Sequence, residues 1–306
     1  MEKVRYIKKK FLWILFFLTV ILIVLFLSFF HYQGGVLLKD NHSPFDLSYQ
    51  NVNKYTFSEK IEAPIVLIGN LKTNQIIYSK NATLHTFPAS IGKLIAALVV
   101  LDKMDLDGVI TIDESMLNKN WGTIHFEKGE KVKVRDLLNM TLIMSANDSS
   151  MILASYYGRE KFAALMNEKI KEIGIEDTVF FDPLCFDDKG NFTTALDLFK
   201  LSRYIYYNYP IIGEITRTKS ASFKSLTGET HLIVTTNELL GQIDEIWGGK
   251  TGYTSGAGEC LLLIYEFNVQ GEKIPFVSIV LNSTSRFEDT RKIYQWLKSN
   301  LNYVIN

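Results

Sequence analysis

The chain has only two cysteines, Cys185 and Cys260, and five scattered histidines, His31, His42, His85, His125 and His231. Neither cysteine belongs to a C-x-x-C or Cys/His cluster, and no H-E-x-x-H or comparable ligand spacing occurs, which argues against a zinc framework and against metal-dependent hydrolysis. No metal and no cofactor are expected. The two thiols leave room for one disulfide, but the reading adopted here is two buried free thiols. Excess charge is absent as well: the formal net charge is zero, so no nucleic-acid surface is indicated. Disorder is excluded by a hydrophobic content of 47%, enough to bury one large core or two smaller ones in 306 residues.

What the chain does have begins at its N-terminus. Lys3, Arg5, Lys8, Lys9 and Lys10 stand against Glu2 in the first ten residues, leaving the remainder at −4. Then Phe11 to Phe30 reads FLWILFFLTVILIVLFLSFF, without a charge and long enough to cross a bilayer as a helix. No small-x-small cleavage site follows it, so an uncleaved anchor is expected rather than a signal peptide. Positive flanks stay cytoplasmic, which makes residues 1–10 a cytoplasmic stub and puts everything after Phe30 outside the membrane. Residues 31–60 mix Gly, Asn, Asp, Ser and Pro without periodicity and read as a stalk; residues 61–306 read as the folded domain.

Within that domain, Ala63–Gly69 and Gln75–Ser79 are β-branched runs around a turn-like Asn70–Asn74, which predicts a hairpin. A helix is predicted from Ser90. Helical spacing of apolar residues recurs over Val134–Met144, Ser150–Tyr157, Lys161–Ile173 and Thr194–Tyr207, predicting an all-helical lobe. Strand patterning returns at Cys260–Tyr265 and Ile274–Leu281, and a closing helix is predicted over Arg286–Leu301. Strands at both ends with helices between them predict an α+β fold: one antiparallel sheet assembled from N- and C-terminal segments, with an inserted helical lobe, plus the N-terminal transmembrane helix.

Ser90 and Lys93 in "PASIGKL" are three apart, so at a helix start the Lys93 amine reaches the Ser90 hydroxyl: a nucleophile and a base. A single S-x-x-K more often records an N-capping serine beside a solvated lysine. Two further segments change that balance. Ser145-Ala146-Asn147 ends an apolar helical run, and Lys250-Thr251-Gly252 leads into the C-terminal strands, giving S-x-x-K, S-x-N and K-T-G in order. This set marks penicillin-binding proteins and class A β-lactamases.

The chain resembles the serine-type D-alanyl-D-alanine carboxypeptidases, the low-molecular-mass penicillin-binding proteins, over residues 61–302. Besides the motifs, "FPASIGK", "SANDSS", "TTALDL", "TNELL", "GGKTGYTSGAGEC" and "SRFEDTRKIYQWL" look like stretches of that family. The resemblance implies the β-lactamase/DD-peptidase-like fold and an acyl-enzyme at Ser90, with Lys93 as base and Ser145 relaying a proton to the departing amine. Asn147 would bind the substrate's amide carbonyl and help hold Lys93. Lys250 would attract the substrate's terminal carboxylate and serve as the cation that depresses Lys93, with Thr251 and Thr254 as hydroxyl donors. Gly252 would let substrate lie against the strand edge, and the Tyr253 N–H would complete an oxyanion hole with that of Ser90. Expected partners are peptidoglycan stem peptides ending in D-Ala-D-Ala, β-lactams as covalent inhibitors, and the membrane through the N-terminal helix.

Some features depart from the family pattern. Where an Asn-Pro-x-Gly-Leu loop is usual, this chain has Asp182, Pro183, Leu184, Cys185 and Phe186. Cys185 in place of glycine implies a changed backbone or a different pocket wall, because only glycine adopts positive φ cheaply. Many members carry a C-terminal β-domain and an amphipathic C-terminal anchor, and here the N-terminal anchor is expected to substitute. Alternative activities are a DD-endopeptidase, a class A-like β-lactamase, or a non-hydrolytic membrane-tethered sensor of wall fragments or β-lactams. The β-lactamase is disfavoured, since no Glu-x-x-Leu-Asn segment lies between Ser145 and Lys250.

Overall fold

The structure is a computed structural model that describes residues 60–117, 123–187 and 190–304. Five strands form its main sheet: β1 (Ile65–Asn70), β2 (Gln75–Lys80), β7 (Ile246–Thr254), β8 (Gly258–Val269) and β9 (Glu272–Ser283). Their order is β2-β1-β9-β8-β7, and every neighbouring pair is antiparallel. The first strand of the chain is therefore zipped to the last, as Ile65 opposite Leu281 through Asn70 opposite Phe276. β1 is buried along its whole length because both faces of the sheet are covered, and IVLIGN reads as a continuous apolar run for that reason.

One face carries the closing helix α7 (Arg286–Val304), whose Ile293 and Leu297 pack into a core with Val66, Ile68, Leu263, Tyr265 and Val280. Asp289 on α7 is fully buried and accepts from the Glu62 and Ala63 N–H groups at 2.9 Å each and from the Ser283 hydroxyl at 2.7 Å. It staples the domain's entry to its closing helix. On the opposite face lies α5 (Ala195–Asn208), against β1 and β9.

The other helices are α1 (Lys93–Lys103), α2 (Val134–Ile143), α3 (Asn147–Ser155), α4 (Arg159–Ile173) and α6 (Pro210–Thr216). Lys169 on α4 reaches Asp102 on α1 at 2.5 Å, and Tyr209 donates to the same carboxylate at 2.6 Å, tying three parts of the lobe together. The lobe is not all helical. It also holds two antiparallel ribbons, β3 (Val109–Thr111) with β4 (Lys131–Lys133) and β5 (Ser220–Lys224) with β6 (Thr230–Val234). A buried His231–Glu130 pair at 2.6 Å connects them.

The predicted hairpin, the two C-terminal strands and the closing helix occur where the patterns put them, with longer strands in β8 and β9. The helix predicted from Ser90 instead opens as a 3₁₀ turn over Ala89–Gly92, and α-helical geometry starts at Lys93. Both cysteines are buried free thiols. The apolar run 11–30 and stalk residues 31–59 lie outside the described residues. No helix of the described residues is long and apolar enough to cross a membrane.

Candidate active site

Ser90 sits in the 3₁₀ turn that feeds α1, directly after Ala89, whose φ is +45°. A non-glycine residue in that region costs of order 1 kcal/mol and persists only where its surroundings fix it. Here the edge strand β7 does so: a Cβ added at Gly252 would lie 3.1 Å from the Ala89 Cβ and 3.2 Å from the Ser90 backbone nitrogen. Gly252 lets the strand edge and the serine turn come that close.

One turn on, Lys93 is completely buried. Its Nζ donates to Ser90 Oγ at 3.1 Å, to the Ser145 carbonyl at 2.7 Å and to Asn147 Oδ1 at 2.6 Å. Three acceptors fix the ammonium's three donors. Burial pulls the Lys93 pKa down to about 8, against the smaller upward pulls of Cys185 and Asp148.

Ser145 lies in the α2–α3 connection with φ +63°, a second strained residue. Its hydroxyl accepts from Lys250 Nζ at 2.7 Å, and Lys250 also donates to the Thr251 carbonyl at 2.9 Å. Lys250 is buried, and its pKa is pushed well below the usual lysine range by burial first and then by Lys93 and Arg286. Asn147 opens α3 rather than ending a helix. The neighbouring Asp148 carboxylate accepts from the Thr123 and Ile124 N–H groups, which holds the segment facing α3.

Ser90, Lys93, Ser145, Asn147 and Lys250 are thus brought into one hydrogen-bonded chain from parts of the sequence far apart. Thr251 joins it through its carbonyl, which accepts from Lys250, while its hydroxyl makes a short contact with that of Thr236. Thr254 departs from its expected part as a free donor: its hydroxyl donates to Asp187 Oδ1 at 2.6 Å, and the Gly256 N–H donates to Asp187 Oδ2 at 2.8 Å. The Tyr253 side chain is 65% exposed, on the outer face of β7.

The 181–187 loop forms another wall. Cys185 keeps the left-handed backbone at φ +62°, so the first of the two expected alternatives, a changed backbone, does not hold. Its thiol occupies the space a Cβ on Gly92 would need, at 2.3 Å from that position. Arg286 is the member of the site that motif reasoning missed. Its Nη1 donates to the Gly252 carbonyl at 2.9 Å, while its Nε is buried without a partner among the described residues. The stretch "SRFEDTRKIYQWL" contains it, but only the packing of α7 against β8 and β9 shows that its first turn reaches the site.

A family model described as D-alanyl-D-alanine carboxypeptidase, peptidase S11, matches residues 51–285. Over 207 residues the chain is 28% identical to the D-alanyl-D-alanine carboxypeptidase DacF of Bacillus subtilis, covering 65% of this chain and 53% of that protein, so it spans about half that relative's length. Over 250 residues it is 30% identical to the D-alanyl-D-alanine endopeptidase of Escherichia coli, covering 78% of each chain. Its fold is similar to penicillin-binding protein D2 from Listeria monocytogenes in the ampicillin-bound form, with a TM-score of 0.66 and 27% identity over 78% of this chain and 97% of that one. With the S-x-x-K, S-x-N and K-T-G segments meeting in one buried network and the family model spanning most of the sequence, the chain belongs to the D-alanyl-D-alanine carboxypeptidase family.

Proposed function

We propose that this protein is a serine DD-carboxypeptidase that removes the terminal D-alanine from peptidoglycan stem peptides ending in D-Ala-D-Ala, and that β-lactams acylate the same serine. The observation that carries it is the buried Lys93 amine, 3.1 Å from Ser90 Oγ with its pKa drawn down to about 8. A base must be free of its proton at working pH, and a pKa near neutrality achieves this.

Ser90 Oγ attacks the carbonyl carbon of the penultimate D-alanine and gives its proton to Lys93. The backbone N–H groups of Ser90 and Tyr253 stabilise the oxyanion, in the narrow gap that Gly252 leaves open. As the C–N bond breaks, the proton passes through the Ser145 hydroxyl to the departing amine, and free D-alanine leaves. Water, activated by the same lysine, then hydrolyses the Ser90 ester.

Lys250 and Arg286 form the cationic end of the cleft, with Thr251 beside them. Burial, and then the charges of Lys93 and Arg286, push the Lys250 pKa down. A substrate carboxylate seated between Lys250 and Arg286 reverses this: Lys250 takes the proton of the lysine pair and Lys93 remains a free amine. Asn147, held by Lys93, presents its amide nitrogen to the substrate's backbone carbonyl.

The apolar run from Phe11 to Phe30 anchors the protein as a single-pass membrane helix, with residues 31–60 as a stalk and the catalytic domain outside. A DD-endopeptidase is the second reading, supported by the 30% identity with the Escherichia coli enzyme of that name over 78% of both chains. The test is to incubate the detergent-solubilised protein with a labelled penicillin, a D-Ala-D-Ala-ended pentapeptide and a cross-linked dimer, with Ser90→Ala as control. A Ser90 adduct with D-alanine release establishes the carboxypeptidase, and release from the dimer alone establishes the endopeptidase. Without any adduct the proposal falls.

A further inference from the structure

We propose that Cys185 is a positioning residue for Lys93: its side chain fills the space beside the Ser90–Lys93 turn and keeps water away from the Lys93 amine. The inference rests on the reading of Lys93 as base, and the experiment below separates the two.

The backbone at Cys185 does not favour a side chain. Its φ of +62° is a conformation that L-residues avoid and glycine adopts without steric penalty. The conformation is imposed from outside. Asp182 accepts from the Leu184 N–H through Oδ1 at 2.7 Å and pairs with Arg159 through Oδ2 at 2.5 Å, and its carbonyl takes the Cys185 N–H at 3.1 Å. Asn191 accepts from the Phe181 and Asp182 N–H groups and donates to the Phe186 carbonyl at 2.7 Å. Glycine would satisfy all of these bonds, so the presence of a side chain needs a separate physical reason.

That reason lies in what the thiol touches. Cys185 is completely buried, and its Sγ lies over Gly92, in the turn between Ser90 and Lys93. The Phe180 ring closes the same spot, 2.7 Å from where a Gly92 Cβ would be. Burial pushes the thiol's own pKa far up, so it carries no charge at working pH and acts by occupying volume. Its one hydrogen-bond contact among the described residues is long, 3.9 Å to the Pro183 carbonyl.

The groups facing Lys93 are few. Ser90 comes from its own turn, the Ser145 carbonyl from the α2–α3 connection, Asn147 and the anionic Asp148 from α3, and Lys250 from β7 by way of Ser145. Asp148 favours the ammonium form, as Cys185 itself would only if it were a thiolate. The exclusion of water outweighs this pull, and the Cys185 thiol fills part of the volume that water would otherwise take. Opening that volume hydrates the ammonium and raises the Lys93 pKa.

The test measures acylation of the detergent-solubilised full chain by a fluorescent penicillin from pH about 6 to about 10, for the native protein, Cys185→Ala and Cys185→Gly, alongside thermal melting. In the native protein the rate should rise with pH and level off above about 8. In Cys185→Gly the rise should move up by about one pH unit, making acylation about tenfold slower at neutral pH while the alkaline plateau is kept. Cys185→Ala should move it less. Glycine suits the backbone here, so melting should not fall in step with the rate. If glycine prevents folding, the alanine variant makes the same comparison. An unmoved pH limb in the folded variants would overturn the inference and leave Cys185 a packing residue. Absence of any adduct in the native protein would overturn the base reading itself, and this inference with it.

Discussion

Lys93 and Lys250 hold opposite polar ends of one residue: Lys93 Nζ donates to the Ser145 carbonyl and Lys250 Nζ to the Ser145 hydroxyl, each at 2.7 Å. Ser145 bridges two buried amines from a strained backbone at φ +63°. Lys93 disfavours the charge of Lys250, and neither amine is exposed to water that could screen it. The pair therefore gives up a proton well before an ordinary lysine would.

Acylation of Ser90 should follow the neutral form of Lys93. Burial holds that pKa near 8, so the rate should climb about tenfold per pH unit on the acid side and level off above it. Penicillin acylation measured across pH checks this. A rate that stays flat from pH about 6 to about 9 would remove Lys93 from the role of base.

Gly252→Ala would put a methyl group 3.2 Å from the Ser90 nitrogen, where the proposed oxyanion has to sit. Acylation should fall by about a hundredfold, and the melting temperature should fall as well, because the added carbon also crowds Ala89 and Ile91 at 3.1 and 3.4 Å. Stopped-flow acylation and calorimetry on the same preparation separate the two effects.

Arg286→Ala removes a cation from the carboxylate end of the cleft and frees the Gly252 carbonyl. KM for a D-Ala-D-Ala peptide should rise by about tenfold or more, consistent with a loss of about 1.5 to 3 kcal/mol for a charged hydrogen bond. A peptide amidated at its C-terminus, which lacks the carboxylate, should lose much less. Equal losses on both peptides would assign Arg286 to structure alone.

Asp289→Ala leaves two backbone N–H groups and the Ser283 hydroxyl without their acceptor. The domain should lose about 3 kcal/mol, the cost of breaking a buried charge-assisted network. A fall in the urea midpoint with an unchanged slope checks this.

The chemistry of the site was far more legible in the sequence than its geometry. Ser90, Lys93, Ser145, Asn147 and Lys250 carry distinctive side chains in ordered short motifs, so a linear reading finds them. The strained backbones at Ala89, Ser145 and Cys185 leave no local signature, because the surrounding structure imposes them rather than the residues' own preferences. Arg286 and Asp187 are ordinary surface-type charges until α7 and the 181–187 loop bring them to β7. The β5–β6 ribbon was missed because SASFK alternates only weakly and its inward partners are half-buried. The start of α1 was misplaced by one turn, since a 3₁₀ turn and an α-helix share the same first residues in sequence.

The pairing of β1 with β9 has a consequence for how the protein is made. β1 leaves the ribosome more than two hundred residues before its central partner, and on its other side it meets only the sheet's outermost strand, β2. Contacts of such long sequence separation slow folding, because a long loop must close before they form. The chain cannot complete its sheet during synthesis and stays extensible until β9 emerges. That delay leaves the apolar segment IVLIGN in need of shielding for as long as the wait lasts.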